Sequence, residues 1–180
     1  MLRTFRVSLL VAATGAIAVW GGVGTVSGLA ALLAAQEEKK PAAESPAQSS
    51  PEALSIYTDA ANYQNNGAFE VAVEEWTRFL DRFGTDPLAP KALHYLGVCQ
   101  LQLKQYAKAA ESFRQVVTKY PDFEQMEETC LNLGWCYYSP ATAGDAAQYP
   151  LAAETFGKLA ADHPKGKHVE QALFFEAESH

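Results

Sequence analysis

Three segments of this chain carry the same apolar pattern, and that pattern has the spacing of an α-helix. In residues 106–120 the apolar side chains recur at i, i+3, i+4, i+7, i+10, i+11 and i+14, which places them on one helix face. Pro121 follows, and proline ends a helix because it has no N–H to donate. Residues 69–83 and 149–163 repeat the pattern. The chain is therefore predicted to contain tandem copies of one helical unit.

Each of these segments is preceded by a second stretch of helical pattern. A small residue recurs in this first helix every 37 residues, at Ala60, Gly97 and Gly134. A small side chain at a fixed position predicts that two helix backbones approach closely there, since a larger side chain would push them apart.

The repeated unit resembles the tetratricopeptide repeat family. The residues that carry the resemblance in the second copy are Leu93, Leu96 and Gly97 on the first helix, then Ala109, Phe113 and Pro121 on the second. The resemblance implies an all-α fold, a right-handed α-solenoid of stacked helix-turn-helix repeats. The spacing between the repeats is a little longer than is usual for the family, and in this respect the chain resembles an envelope branch of it. That branch includes the periplasmic cell-division coordinator of the Tol–Pal system and the repeat lipoprotein of the outer-membrane barrel assembly machinery.

The chain divides into three regions by composition. Residues 1–35 contain Arg3 and Arg6 before a long uncharged apolar run, which predicts either a cleaved signal peptide or a retained membrane anchor, with the rest of the chain exported. Residues 36–51 are rich in Pro, Ala, Glu, Ser and Gln and predict a disordered linker, which ends where Ser50 and Pro51 can start a helix.

The solenoid is predicted over residues 52–180. Its repeats are expected at about 53–86, 87–123 and 124–166, with the first helix of a fourth at 167–180. This last segment is either a lone capping helix or the start of a further repeat in a longer protein. The third repeat has six extra residues around Pro140 to Asp145, which predict an enlarged turn between its helices. That insertion is either a tolerated surface change or a loop that binds a partner.

Charge and motifs exclude several classes of function. The formal net charge is −7, and it is −9 without residues 1–35, which argues against nucleic acid and anionic lipid as partners. No catalytic motif, cofactor motif or set of metal ligands is recognisable, so we predict no enzyme, no cofactor and no metal. Cys99, Cys130 and Cys136 are predicted to be small buried residues, while a disulfide from Cys99 to either of the others stays open.

The resemblance implies that the first helices line a concave face that can hold a partner segment. The residues predicted on this face are Tyr57, Ala61, Gln64, His94, Val98, Leu101, Leu131, Trp135 and Tyr138. An aromatic and apolar groove suits a peptide or a helix. Two alternatives stay open, because these residues can pack against adjacent helices and a terminal helix can fill the groove.

The predicted function is a non-enzymatic scaffold at the cell envelope that binds a protein or peptide partner, with membrane contact only through the N-terminal segment. One alternative is a structural protein that assembles with itself through its repeats. Another is an accessory region of a longer protein whose functional domain lies beyond residue 180.

Overall fold

The structure, a computed structural model, describes residues 48–180. This range contains seven α-helices and one 3-10 helix, and no strand. The α-helices are α1 (Pro51–Asn65), α2 (Phe69–Phe83), α3 (Ala89–Gln102), α4 (Tyr106–Lys119), α5 (Met126–Thr142), α6 (Tyr149–Asp162) and α7 (Val169–Glu178). The 3-10 helix, Ala146–Gln148, directly precedes α6. The all-α repeat fold predicted from the sequence is confirmed for this part of the chain.

The first helix starts at the residues that the sequence indicated. The Ser50 side-chain oxygen accepts a hydrogen bond of 3.1 Å from the backbone N–H of Ala53, which satisfies one of the free donors at the helix end. Pro51 is the first helical residue, where a missing N–H costs nothing.

The helices pack mainly in the order in which they occur along the chain. Each contacts the helix before it and the helix after it, and α3 also contacts α5. Buried apolar residues accordingly form three adjoining clusters, which join α1 to α4, α3 to α5, and α5 to α7. Each helix pair thus covers apolar surface that its neighbour leaves open, as expected in a repeat array.

The aromatic residues of the second helices form the centre of this packing. Trp76, Phe113 and Phe156 have no accessible surface. A Cβ atom placed on Gly97 would lie 2.8 Å from the Phe113 ring, and one on Gly134 would overlap with the Phe156 ring. A small residue is therefore required at Gly97 and Gly134, but the predicted reason is wrong, because the group that a side chain would meet is an aromatic ring of the second helix and not a facing backbone.

The insertion in the third repeat differs from its prediction. The first part of it continues α5, which runs through Pro140 to Thr142, and only the part that follows forms the turn and the 3-10 helix. Pro140 lies in the last turn of α5, where the loss of one N–H removes little of the helix. The prediction that Pro140 itself belongs to the enlarged turn is wrong.

Between residues 48 and 180, no helix combines the length and the apolar character that crossing a bilayer requires. The predicted signal peptide or anchor at residues 1–35 lies outside the described residues. The same holds for the linker at residues 36–51 up to residue 47.

Candidate binding surface

The predicted groove residues lie on α1, α3 and α5, the first helices of the three repeats, and the structure places them in different environments. Two of them belong to the core. His94 has no accessible surface and Leu131 is 7% exposed, so neither can contact a partner. The prediction that they line a binding face is wrong, because at this position of the helix the next repeat covers the side chain.

His94 is held by one polar contact inside an aromatic cluster. Its Nδ1 lies 2.9 Å from the Thr129 hydroxyl oxygen, and that hydroxyl donates to the backbone carbonyl of Gln125. Nδ1 must therefore carry the proton and donate to Thr129. The rings of Phe113 and Phe123 pack against the imidazole, and Nε2 has no hydrogen-bond partner among the described residues.

We expect the free energy of unfolding to fall as the pH drops below about 6.5, and His94→Leu to remove part of that fall. Burial lowers the pKa of His94, against a smaller opposing effect of Glu128. The unfolded chain then binds the proton at a higher pH than the folded chain, so acid favours unfolding. Leucine is chosen because Leu131 occupies the equivalent position of the next repeat.

Urea unfolding of the unsubstituted protein and of His94→Leu at about pH 7.5 and about pH 5 measures this effect, because these two pH values lie above and below the usual pKa of histidine. Comparison with the variant removes the contribution of the other histidines. An equal loss of stability in the two proteins would contradict the prediction.

Tyr57 and Gln64 are half-buried and make contacts inside the array. The Tyr57 ring lies 4.8 Å from the Trp76 ring, and burial together with Tyr95 and Glu124 raises the pKa of Tyr57 to about 12. The Gln64 side-chain oxygen accepts from Trp76 Nε1 at 3.0 Å and from the Cys99 thiol at 3.3 Å. Gln64 therefore joins the first repeat to α3.

Trp135 and Tyr138 are also half-buried, and α7 covers part of both. The Phe175 ring lies 4.4 Å from the Trp135 ring and 5.0 Å from the Tyr138 ring, and the Phe156 ring packs behind them. A helix from the same chain thus occupies this end of the predicted groove. The alternative in which a terminal helix fills the groove therefore applies at this end.

The part of the predicted face that stays open lies between α3 and α5. Val98 and Leu101 are half-buried there and pack against the core cluster of α3, α4 and α5. An open depression of about 320 Å³ adjoins them. Its lining consists of Leu101, Gln102, Lys104, Tyr106, Trp135 and Ser139. Two predicted residues, Leu101 and Trp135, therefore meet at one small depression whose lining is about equally apolar and polar.

Sequence reasoning missed the other residues of this depression. Gln102 and Lys104 come at the end of α3 and in the short turn after it, and Tyr106 is the first residue of α4. A turn this short brings Tyr106 back beside the end of α3, so the sequence could have indicated that Tyr106 lies next to Leu101. Ser139 lies on α5 beyond the last residue that the repeat pattern singles out.

The three cysteine thiols are wholly or partly shielded from solvent in this fold. The three cysteines are free, with Cys99 and Cys136 buried and Cys130 half-buried, which confirms the predicted packing role of the first two. Burial raises the pKa of the Cys99 and Cys130 thiols to about 11 and that of Cys136 to about 12. Thiols with such values stay protonated at neutral pH and are weak nucleophiles. Residues 48–180 contain no cluster of side chains suited to hold a metal ion.

The chain is similar to known proteins both in sequence and in fold. Residues 57–122 match the family model described as tetratricopeptide repeat. The second TPR domain of human RPAP3, solved by NMR in complex with the HSP70 peptide SGPTIEEVD, has a TM-score of 0.54 at 16% identity, with 71% of this chain and 93% of that chain covered. A tetratricopeptide repeat protein from Parabacteroides merdae ATCC 43184 has a TM-score of 0.39 at 12% identity, with 71% and 59% covered. No curated protein matches the sequence.

The sequence match and the similarity of fold both agree with the packing described above. The RPAP3 domain shares the fold, and the family model matches the stretch from α1 to the end of α4. The helices α5 to α7 continue the same arrangement, with Gly134 against Phe156 as Gly97 is against Phe113. Residues 57–122 therefore resemble tetratricopeptide repeats in sequence, and the described residues have the fold of the RPAP3 domain, which the helices continue as far as α7.

Proposed function

We propose that the described part of this chain is a non-enzymatic scaffold that holds a segment of a protein partner on the open face between α3 and α5. The observation that carries the proposal is the depression beside Leu101 and Trp135, where apolar surface of the first helices is not covered by the array itself. The RPAP3 domain of the same fold is bound to a peptide, which supports a peptide as the occupant.

The lining indicates what such a segment needs. Leu101, Tyr106 and Trp135 offer apolar and aromatic surface, and Gln102, Lys104 and Ser139 add amide, ammonium and hydroxyl groups to the lining. One apolar side chain of the partner can fill the depression while its backbone hydrogen-bonds to these polar groups, which is how peptide grooves combine affinity with specificity.

Substitution of Ser139 tests the proposal better than truncation of the aromatic residues does. Trp135→Ala would also remove the contact with Phe175, so a loss of binding could follow from a loss of stability. Ser139→Arg instead fills the depression from its rim and leaves the core contacts in place. Ser55→Arg, on the exposed side of α1, is the matched control.

We expect a photo-cross-linking residue at Gln102 to capture a discrete partner in cells, and Ser139→Arg to abolish that adduct. Blocking a pocket that one anchor side chain fills removes most of the binding energy of a small interface. The adduct should persist in Ser55→Arg, and the same cross-linker at Glu74, exposed on α2, should give none. Equal adducts from Ser139→Arg and the unsubstituted protein would overturn the proposal.

The proposal includes a location at the cell envelope. Its support is the basic and apolar character of residues 1–35, together with the resemblance of the repeat spacing to envelope members of the family. In this setting the acidic repeats face outward, away from the cytoplasm, and a partner protein of the envelope is the expected occupant.

The exposed face of α7 favours self-association as a second candidate. Leu173 and Phe174 are 51% and 57% exposed, whereas Leu93 and His94, at the same positions of α3, are buried. Apolar surface of this kind is a common site of protein association. Light scattering on residues 50–180 separates the two candidates, because a monomer would exclude self-association through this face.

A further inference from the structure

The turn between α3 and α4 has an unusual backbone conformation for its residue type. Lys104 has φ of 58°, in the left-handed region that glycine favours. The corresponding turns of the first and third repeats use glycine, with Gly67 at φ of 76° and Gly144 at φ of 119°. A lysine kept in a glycine conformation suggests that its side chain has a use, since such strain concentrates at functional sites.

Lys104 also lines a second depression, of about 600 Å³, beside this turn. The depression lies between the start of α4 and the end of α5 with the loop that follows. From α5 its lining includes Cys136, Tyr137 and Pro140, and from α4 it includes Lys108. It shares no residue with the set predicted for the concave face, but it shares Lys104 and Tyr106 with the smaller depression between α3 and α5.

Basic side chains are concentrated around this depression in an otherwise acidic protein. Residues 48–180 contain ten Lys and Arg against 18 Asp and Glu, and three of the ten, Lys104, Lys108 and Arg114, line it. Arg114 is paired with Glu111, whereas none of the ion pairs formed by the described residues involves Lys104 or Lys108. Asp145 contributes the acidic group of the lining.

We propose that this depression binds an acidic peptide segment of a protein partner, with a carboxylate between Lys104 and Lys108 and an adjacent apolar side chain against Tyr137 and Pro140. Unpaired lysine ammonium groups attract carboxylates, and the apolar part of the lining gives a neighbouring side chain somewhere to bury.

The charge of the whole protein selects a peptide over a longer polyanion. An extended nucleic acid would place further phosphates over the surrounding acidic surface and would be repelled by it. A short peptide with a few carboxylates can instead place them at the two lysines. The site adjoins the depression between α3 and α5, since Lys104 and Tyr106 line both. It goes beyond the proposed scaffold function because Lys108, Tyr137 and Pro140, which only this site contains, suit a ligand with different chemistry.

The probe for this site is a fluorescein-labelled peptide of sequence Gly-Leu-Glu-Glu-Leu-Glu-Gly, and the control peptide has Gln in place of each Glu. Fluorescence anisotropy should show binding of the acidic peptide below about 1 mM protein and at least several-fold weaker binding of the control. Added salt should weaken the binding, because exposed charges are screened. Failure of the acidic peptide to bind, or equal binding of both peptides, would overturn the proposal.

The variant that tests the site carries both Lys104→Gln and Lys108→Gln. Its affinity for the acidic peptide should fall roughly three- to tenfold, the loss typical of two exposed charge contacts. The matched control carries Lys165→Gln and Lys167→Gln, two exposed lysines in the turn before α7 that also take part in no ion pair of the described residues. Equal losses in the two variants would show that only overall charge matters and would overturn the proposal.

A single glycine substitution separates binding from folding. Lys104→Gly restores the residue type of the equivalent turns, so the melting temperature should hold or rise by up to about 3 °C while peptide affinity falls. A variant that loses stability along with affinity would indicate that Lys104 acts on the fold, contrary to the proposal.

Discussion

Replacing Trp76 by alanine is expected to lower the free energy of unfolding by about 3–5 kcal/mol. The indole has no accessible surface, and its ring packs 4.8 Å from that of Tyr57 and 5.7 Å from that of Tyr95. Its Nε1 also donates to the Gln64 side chain. Alanine would leave a large cavity where the first two repeats meet and would remove that hydrogen bond.

Urea or thermal unfolding followed by circular dichroism measures this loss. Glu74→Ala, at an exposed position of the same helix, is the matched control and should change stability by no more than about 0.5 kcal/mol. Trp76→Phe keeps a ring but removes the indole N–H, so it should fall between the two. A loss below about 1 kcal/mol for Trp76→Ala would mean that the packing described here does not hold the repeats together.

Gly134→Ala is expected to lower the free energy of unfolding by about 1–3 kcal/mol, although alanine is ordinarily the better helix former by about 1 kcal/mol. A Cβ at this position would overlap with Cε1 of Phe156. That ring is fully buried among Trp135, Tyr138 and Phe175, so it cannot move aside without disturbing them.

Gly157→Ala is the matched control for this substitution. Gly157 is also inside a helix, but the atom that its Cβ would meet is the end of the flexible Glu176 side chain, so alanine should be neutral or stabilising. Adding Phe156→Leu to Gly134→Ala should recover part of the loss, because leucine leaves room for the extra methyl group. A double-mutant cycle measures this coupling, and strictly additive losses would contradict the contact.

The periodic part of the fold could be predicted from the sequence because each residue's role there depends on local spacing. The stripe positions Trp76, Phe113 and Phe156 follow from the spacing of the apolar residues, and they are buried as predicted. The start of α1 follows from Ser50 and Pro51, whose chemistry acts within one turn of helix. Such features require no knowledge of how the repeats stack.

The surface positions could be predicted only in part, because they depend on how much one repeat covers the next. Tyr57, His94, Leu131 and Phe174 occupy equivalent positions of their helices, yet their exposure ranges from complete burial of His94 to 57% for Phe174. The sequence pattern is nearly the same in all four places. What differs is the helix that lies over each one, and this is a property of the stack.

Lys104 shows a signal that the sequence contained and that spacing alone did not reveal. Gly67 precedes it by 37 residues, so comparison of the repeats points to a turn that favours glycine. The identity of the residue suggests an ordinary exposed lysine, however, and only the backbone angle of 58° shows the strain. Pro140 is the reverse case, since the extra residues of the third repeat predicted an enlarged turn around it, whereas α5 continues through Pro140 to Thr142.

Because the helices pack mainly against their neighbours in the chain, the sequence of one repeat can change with little effect on the packing of the others. Because each helix is stabilised chiefly by those next to it in the chain, the lengthening of α5 alters one edge of the molecule and leaves the spacing of α1 to α4 intact. Contacts of this kind close short loops, so any one helix pair can form early and the others can add to it. Residues in a single turn can accordingly diverge to suit a new ligand while the rest of the array keeps its structure.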